Sequence, residues 1–166
     1  MSHSYVGCVN VQILHTRHHL GLVAEEKNTS DRIRNLGVMA SAAWHLMRAF
    51  QFYLVELGAN YQVPNPERIS VSRDLCDALS AIDKHPAEAN ELRALEETGW
   101  IADLAAVLKQ TERHPLAKKL SSGVQDALDL TDLDTTSVNV DVDQLALWLT
   151  QFQELIERQR GLMVEY

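Results

Sequence analysis

The chain has only two cysteines and no motif that pairs them. Cys8 and Cys76 lie far apart in a sequence of 166 residues, and neither belongs to a CxxC pair. A chain of this length buries about 70% of its unfolded surface and needs no disulfide to fold. We therefore expect one domain spanning residues 1–166, with both thiols free in a reducing cytoplasm.

Long apolar runs and a secretory leader are also missing. No basic segment precedes an apolar core near the N-terminus, which is the pattern that a signal peptide requires. No apolar run approaches the ~18–20 residues that a membrane-spanning helix needs. We expect a cytoplasmic protein that does not contact membranes.

The motifs of common enzymes and cofactor sites do not occur. The seven glycines are scattered, and none follows a predicted strand, so a nucleotide-binding turn is not expected. The sequence contains no GxSxG, HExxH or EF-hand pattern, and no Glu-x-x-His of the di-iron bundles. These absences favour a protein that is not an enzyme and holds no cofactor.

Positive charge is missing from one long stretch. Residues 120–157 contain eight Asp or Glu and no Lys or Arg, while the whole chain has a net charge of −8. The rest of the chain is therefore neutral. Binding to nucleic acid or to an anionic membrane requires a basic patch that displaces counterions, so neither partner is expected.

Helical periodicity dominates the remaining sequence and is clearest over residues 31–61. Apolar residues recur there every three to four positions for about four heptads, which predicts one long helix packed on two or more neighbours. Trp44 is expected to widen this buried seam. The seam consists of Ile33, Leu36, Ala40, Ala43, Met47, Phe50, Leu54, Leu57 and Tyr61.

Similar spacing predicts further helices over residues 5–26, about 70–84, 86–112 and from about 142 to the C-terminus. We expect an all-α fold, an antiparallel helical bundle of four long helices plus one or two short ones. An irregular acidic segment interrupts it at about 113–141. Three of the main helices each carry one tryptophan, and burial of this residue type predicts that Trp44, Trp100 and Trp148 share a common core.

Three histidines form the one pattern that suggests metal chemistry. His15 and His19 are four residues apart, so both imidazoles face the same side of a helix and can chelate one ion. His45, on the neighbouring helix, is a candidate third ligand. A helical bundle with three histidines is similar to the DinB-like metal-dependent hydrolases, although there the histidine pair follows the single histidine. The alternative interpretation is a set of solvated side chains on a polar face.

The acidic stretch over residues 126–143 has two interpretations. It is either a solvated loop or an acidic–apolar docking strip for a basic protein partner. In the second case apolar anchors alternate with aspartates that set specificity and association rate. The residues concerned are Asp129, Leu130, Asp132, Leu133, Asp134, Val138 and Val140.

Two thirds of the chain resembles a family of small bacterial all-helical proteins that is classed as a domain of unknown function. The resemblance is carried by the long helix from Ala42 to Pro64, and by the stretches 91–96 and 100–104. It implies a helical cytoplasmic protein and transfers no catalytic residue. Together with the missing motifs, it predicts a non-catalytic adaptor or regulator that acts through protein–protein contacts, with a homodimer as one possible assembly.

Overall fold

The structure, a computed structural model, describes residues 3–25, 27, 29–112 and 141–164. These residues form six α-helices and one short 3-10 helix, and they contain no strand. The prediction of an all-α fold is therefore confirmed. The helices are α1 (His3–Gly21), α2 (Thr29–Asn60), α3 (Ser72–Ser80), α4 (Ala87–Thr98), α5 (Trp100–Glu112) and α6 (Val142–Val164), with the 3-10 helix at Pro66–Arg68.

The long helix α2 is the element on which the others pack. It contacts α1, α3, α5, α6 and the 3-10 helix. The predicted seam is buried in its C-terminal half and becomes more exposed toward the N-terminus, where Ile33 is 40% exposed. Each large side chain in such a seam stabilises the fold by roughly 1.5–3 kcal/mol when fully buried. The most deeply buried seam residues are Ala43, Phe50, Leu54 and Leu57.

The first two helices form an antiparallel hairpin, with Ala24 close to Asn35 and Gln12 close to His45. The first helix ends at Gly21, earlier than the sequence predicts. The buried side chain of Asn35 explains the early end, because it bonds both the N–H and the C=O of Ala24 at 3.2 and 2.7 Å. Those two bonds hold the connection and fix how α1 lies along α2.

The prediction of one continuous helix over residues 86–112 is wrong, because this part of the chain is divided into α4 and α5 at Gly99. The backbone of Gly99 is extended, with φ −101° and ψ −166°. A Cβ atom there would lie 2.8 Å from the Cα of Leu95. Position 99 therefore needs glycine, because its backbone lies so close to that of Leu95 that no Cβ fits between them. The break redirects α5 toward α2.

The prediction that three tryptophans share a core is also wrong. Trp100 and Trp148 stack with ring centroids 6.4 Å apart, next to Phe152. Trp44 instead lies on the outer side of α2 and is 52% exposed. It sits one position from the seam residue Ala43, and α1 covers the neighbouring side of α2 without covering the indole.

Among the described helices, none combines the length and the hydrophobicity that crossing a membrane would require.

Candidate functional site

The hairpin of α1 and α2 brings His15, His19 and His45 together. The ring centroid of His45 lies 4.8 Å from that of His15 and 5.1 Å from that of His19. His15 and His19 stand one turn apart on α1, and His45 reaches them from the middle of α2. The four-residue spacing of His15 and His19 predicted that they share one side of a helix. The antiparallel hairpin brings His45 next to them.

Two hydrogen bonds orient the rings in this histidine cluster. The Nδ1 atom of His45 lies 2.7 Å from Oε1 of Gln12. The Nδ1 atom of His19 lies 2.8 Å from the backbone carbonyl oxygen of His15. A carbonyl oxygen only accepts, so each Nδ1 carries the proton and donates it. In the neutral form of either ring, the lone pair then lies on Nε2.

The electrostatics of the cluster favour the neutral form of His45. Burial lowers the pKa of His45 below its ordinary value, and the nearby His15 and His19 lower it further. Burial acts because a low-dielectric surrounding disfavours the charged imidazolium, and the two neighbours act because they repel a second positive charge. His45 therefore gains a proton only at a lower pH than an ordinary histidine side chain does.

An aromatic and cationic strip borders the cluster on α2. The indole of Trp44 meets the ring of His45 edge-on, with centroids 5.0 Å apart. The guanidinium of Arg48 lies over the rings of both Trp44 and Phe52, 5.9 and 4.7 Å from their centroids. These contacts hold the half-exposed indole in a fixed position beside the histidines.

The three predicted metal ligands are close, but they do not form a finished metal site. As the side chains stand, no group of three or more His, Cys, Asp or Glu in the described part of the chain places its donor atoms to hold an ion. The rings of His15 and His45 are tilted by 49° to each other. His15 is exposed on α1.

The first helix is apolar on two sides. Its inner side packs on α2 through Val9, Ile13 and Leu20. Its outer side leaves Val11, Leu14 and the adjoining Leu22 exposed by 48, 60 and 50%. A surface helix normally places polar residues on the side that faces water, so an apolar outer side is unusual. We call this outer side, with Gly7, His18 and Gly21 between the apolar residues, the outer face of α1.

A buried ion pair connects α2 and α6. Glu56 is 1% exposed, and its carboxylate accepts two bonds from the guanidinium of Arg160, at 2.8 and 2.7 Å. Arg160 also donates to Asn10 on α1 at 3.3 Å. The pair therefore joins three helices. Arginine suits this role because its planar donors match both carboxylate oxygens.

The polar contacts continue from this pair to α4. The hydroxyl of Tyr53 donates to Oε1 of Gln159 at 2.8 Å, and Gln159 donates to Glu91 at 2.8 Å. Arg158 donates to the other oxygen of Glu91 at 2.6 Å. The bond from Arg158 lowers the pKa of Glu91, while burial raises that of Tyr53. These groups satisfy one another, so they fix the packing of the helices and leave no reactive group.

Sequence reasoning did not find this network. A glutamine in the apolar seam of the last helix was the available signal, because a buried amide needs polar partners. Glu56 lies near the end of α2, and nothing in its spacing identifies a partner 104 residues away.

Two shallow grooves in the described part of the chain lie away from the histidines. One, of about 330 Å³, separates α1 from α6 and is lined by Asn10, Ile13, Leu14, Arg17, Gln153, Ile156, Glu157 and Arg160. The other, of about 290 Å³, lies between α6 and the α4–α5 pair and is lined by Glu91, Leu95, Trp100, Gln151, Glu154, Leu155 and Arg158. Ligand pockets of small molecules are of similar volume but are usually concave and more enclosed.

Most of the predicted acidic docking strip lies outside the described residues. This holds for Asp129, Leu130, Asp132, Leu133, Asp134, Val138 and Val140. The described acidic members of the stretch are Asp141 and Asp143, which are exposed at the start of α6.

Comparisons with models of protein families, with curated proteins and with solved structures found no match for this chain.

Proposed function

We propose that the protein is a non-catalytic cytoplasmic adaptor or regulator that acts through protein–protein contacts. The observation that carries this proposal is the outer face of α1, which leaves apolar side chains in water although its inner side already packs on the core. Leu14, at its centre, is 60% exposed. Contiguous apolar surface of this kind marks interaction sites in proteins. The scaffold is an antiparallel bundle of α1, α2, the α4–α5 pair and α6.

A second copy of the chain is the partner for the outer face of α1. Between His3 and Ala24 the only formally charged side chain is Arg17, and there is no acidic residue. The net charge of −8 lies in residues 120–157, so two copies repel each other where these residues approach one another. The outer face of α1 has no acidic residue, so two copies can meet there without bringing their negative charges together.

The size of this face predicts a weak dimer. A helix of 19 residues is about 28 Å long, and a single helix face falls short of the ~800 Å² that a stable partner usually buries. Trp44 extends the apolar surface beyond the histidine cluster and supplies an anchor of the type that dominates interface energies. We expect a dimer that forms at micromolar concentrations.

Sedimentation velocity of the full chain over a concentration series tests the dimer. The wild-type chain should dimerise, and Leu14→Glu should be monomeric because it buries a charge in the interface. Leu147→Glu is the matched control, since Leu147 is 50% exposed on α6, and it should dimerise like the wild type. A wild-type monomer at all concentrations, or equal dimerisation by all three chains, would refute the proposal.

The acidic stretch 126–143 is the second contact surface of the proposal, and its partner is basic. The exposed Asp141 and Asp143 belong to it. Salt should act on the two contacts in opposite directions. Screening weakens attraction between an acidic strip and a basic partner, and it relieves repulsion between two copies with the same net charge.

Binding of a synthetic Lys- and Leu-rich amphipathic peptide tests the acidic stretch. Titration calorimetry should show affinity that falls as salt rises, and that falls again when Asp129, Asp132 and Asp134 are changed to Asn. A chain with Glu→Gln changes at 96 and 97, which lie outside residues 126–143 in the sequence, is the control. If the affinity for the peptide depends neither on salt nor on the Asn changes, the acidic stretch is not a docking strip.

A DinB-like metal-dependent hydrolase remains the second candidate function. Its support is the convergence of His15, His19 and His45 from two helices, within 5.1 Å of His45. A hydrolase of this class should cleave a generic ester only when loaded with metal, and His45→Ala should abolish the cleavage. Equal rates with metal and with chelator would reject it.

A further inference from the structure

We propose that the groove between α6 and the α4–α5 pair holds the apolar anchor of a basic amphipathic helix from a partner protein. This inference rests on the proposed function, because it names the place where the basic partner of the acidic stretch 126–143 docks. Its basis is an apolar lining next to the unpaired carboxylate of Glu154.

The apolar lining of the groove is formed before any partner binds. Leu155 is 5% exposed, and Leu95 and Trp100 are half-buried against the core. The indole of Trp100 stacks on Trp148 at 6.4 Å and meets the ring of Phe152 at 6.0 Å. These contacts hold the indole in place, so an entering side chain does not have to order it.

The size of the groove suits a side chain of a partner protein. Its volume of about 290 Å³ is at the lower end of the range for small-molecule pockets, about 300–1,000 Å³. A shallow groove cannot enclose a free ligand. It can receive one large apolar side chain that a partner helix holds in position, as when an amphipathic helix lies in an apolar groove.

The charges on the groove favour a basic partner. Arg158 and Glu91 both line it and pair at 2.6 Å, so their charges offset each other. Glu154 also lines the groove and is exposed, and it has no hydrogen bond or ion pair among the described residues. The groove therefore presents one uncompensated negative charge beside an apolar surface. A Lys or Arg next to the apolar anchor of the partner complements this charge.

One side of α6 connects the groove to the acidic stretch. Asp143, Leu147 and Glu154 are separated by four and seven residues, so they lie on the same side of the helix. All three are exposed, Leu147 by 50%. With a rise of about 1.5 Å per residue, Glu154 lies about 16 Å from Asp143 along α6. A partner helix of about three turns spans this distance and reaches both carboxylates, with an apolar contact to Leu147 between them.

Titration calorimetry of the full chain with the Lys- and Leu-rich amphipathic peptide tests the charge. Glu154→Gln should weaken binding about two- to fivefold, the range expected for an exposed ion pair. Glu67→Gln is the matched control, because Glu67 is exposed on the 3-10 helix and lines neither groove. It should bind the peptide as the wild type does. Equal affinities of the two variants would overturn the proposal.

Acrylamide quenching of tryptophan fluorescence tests the apolar lining. In a Trp44→Phe chain the remaining tryptophans are the half-buried Trp100 and the buried Trp148, so the quenching arises mainly from Trp100. Saturation with the Lys- and Leu-rich peptide should reduce it. A Lys- and Ser-rich peptide of the same charge brings no apolar anchor and should leave it unchanged. If the first peptide binds and the quenching stays the same, the groove is not the docking site.

The outcomes separate this inference from the proposed function. If the Asn changes at 129, 132 and 134 weaken peptide binding, while Glu154→Gln and the quenching show no effect, the acidic stretch stands and the groove is excluded. If the peptide binds to no chain, both are wrong. Sedimentation velocity of Glu154→Gln should show the same dimerisation as the wild type. Loss of the dimer would assign the groove to a second copy and overturn the proposal.

Discussion

Replacing Arg160 with methionine should destabilise the fold through the carboxylate that it leaves behind. Glu56 is 1% exposed, and both of its oxygens accept bonds from Arg160. Methionine retains much of the apolar stem of the arginine but provides no donor. The carboxylate would then be buried without its counter-charge.

The structure sets the size of the effect. Removing one partner of a fully buried ion pair typically costs about 3–5 kcal/mol. Arg160 is itself 27% exposed, so water can reach the space that its guanidinium leaves, and part of the cost is relieved. We expect a loss of about 2–4 kcal/mol. In a chain of this size, 3 kcal/mol corresponds to a fall in Tm of roughly 6–12 °C.

Urea denaturation followed by circular dichroism measures this loss, and Arg158→Met is the matched control. Arg158 lies two positions earlier and pairs with Glu91 at the surface, where both side chains are more than a third exposed. Such a surface pair contributes about 0–1 kcal/mol. A second change, Glu56→Gln, should recover part of the loss in Arg160→Met because it removes the unpaired charge. The reasoning fails if Arg160→Met costs no more than Arg158→Met.

Three further predictions follow from single contacts. Because the folded-state pKa of His45 is lowered, the unfolded chain binds more protons below about pH 6.5. The Tm should therefore fall as the pH is lowered from 7 toward 5, and His45→Gln should reduce that fall. If the Tm of His45→Gln depends on pH as that of the wild type does, the prediction is wrong. Gly99→Ala should lower the free energy of unfolding in urea by about 1–3 kcal/mol, because its Cβ would meet the backbone of Leu95. Gly37→Ala has open space around it and should raise that free energy by about 0.5–1 kcal/mol. Similar effects of both changes would refute this. Tyr53→Phe should cost about 1–2 kcal/mol in the same assay, because it removes a buried hydrogen bond, and a loss under 0.5 kcal/mol would show that the bond contributes little.

Spacing along the chain predicted the features that depend on local geometry. The seam of α2 and the pairing of His15 with His19 follow from 3.6 residues per turn, which the sequence displays directly. The hairpin followed from a short connection between two apolar helices. These features need no knowledge of distant contacts.

Features that depend on distant contacts could not be predicted in the same way. Trp44 occupies a position that periodicity alone allows to be buried, and its exposure depends on how α1 lies against α2. A glycine such as Gly99 weakens a helix, but whether the helix bends or breaks there depends on the backbone of Leu95. The pairing of Glu56 with Arg160 joins residues that no local pattern connects.

The central claim is that the outer face of α1 packs on the same face of a second copy. Dipolar spectroscopy on a chain with one spin label at His18→Cys, with the two native cysteines replaced by serine, measures this contact directly. Two packed helices lie 8–10 Å apart, so the labels should be within about 20 Å of each other. The same label at Leu147→Cys on α6 should give no such short distance. Absence of intermolecular coupling from position 18, at concentrations where the chain is dimeric, would contradict the claim.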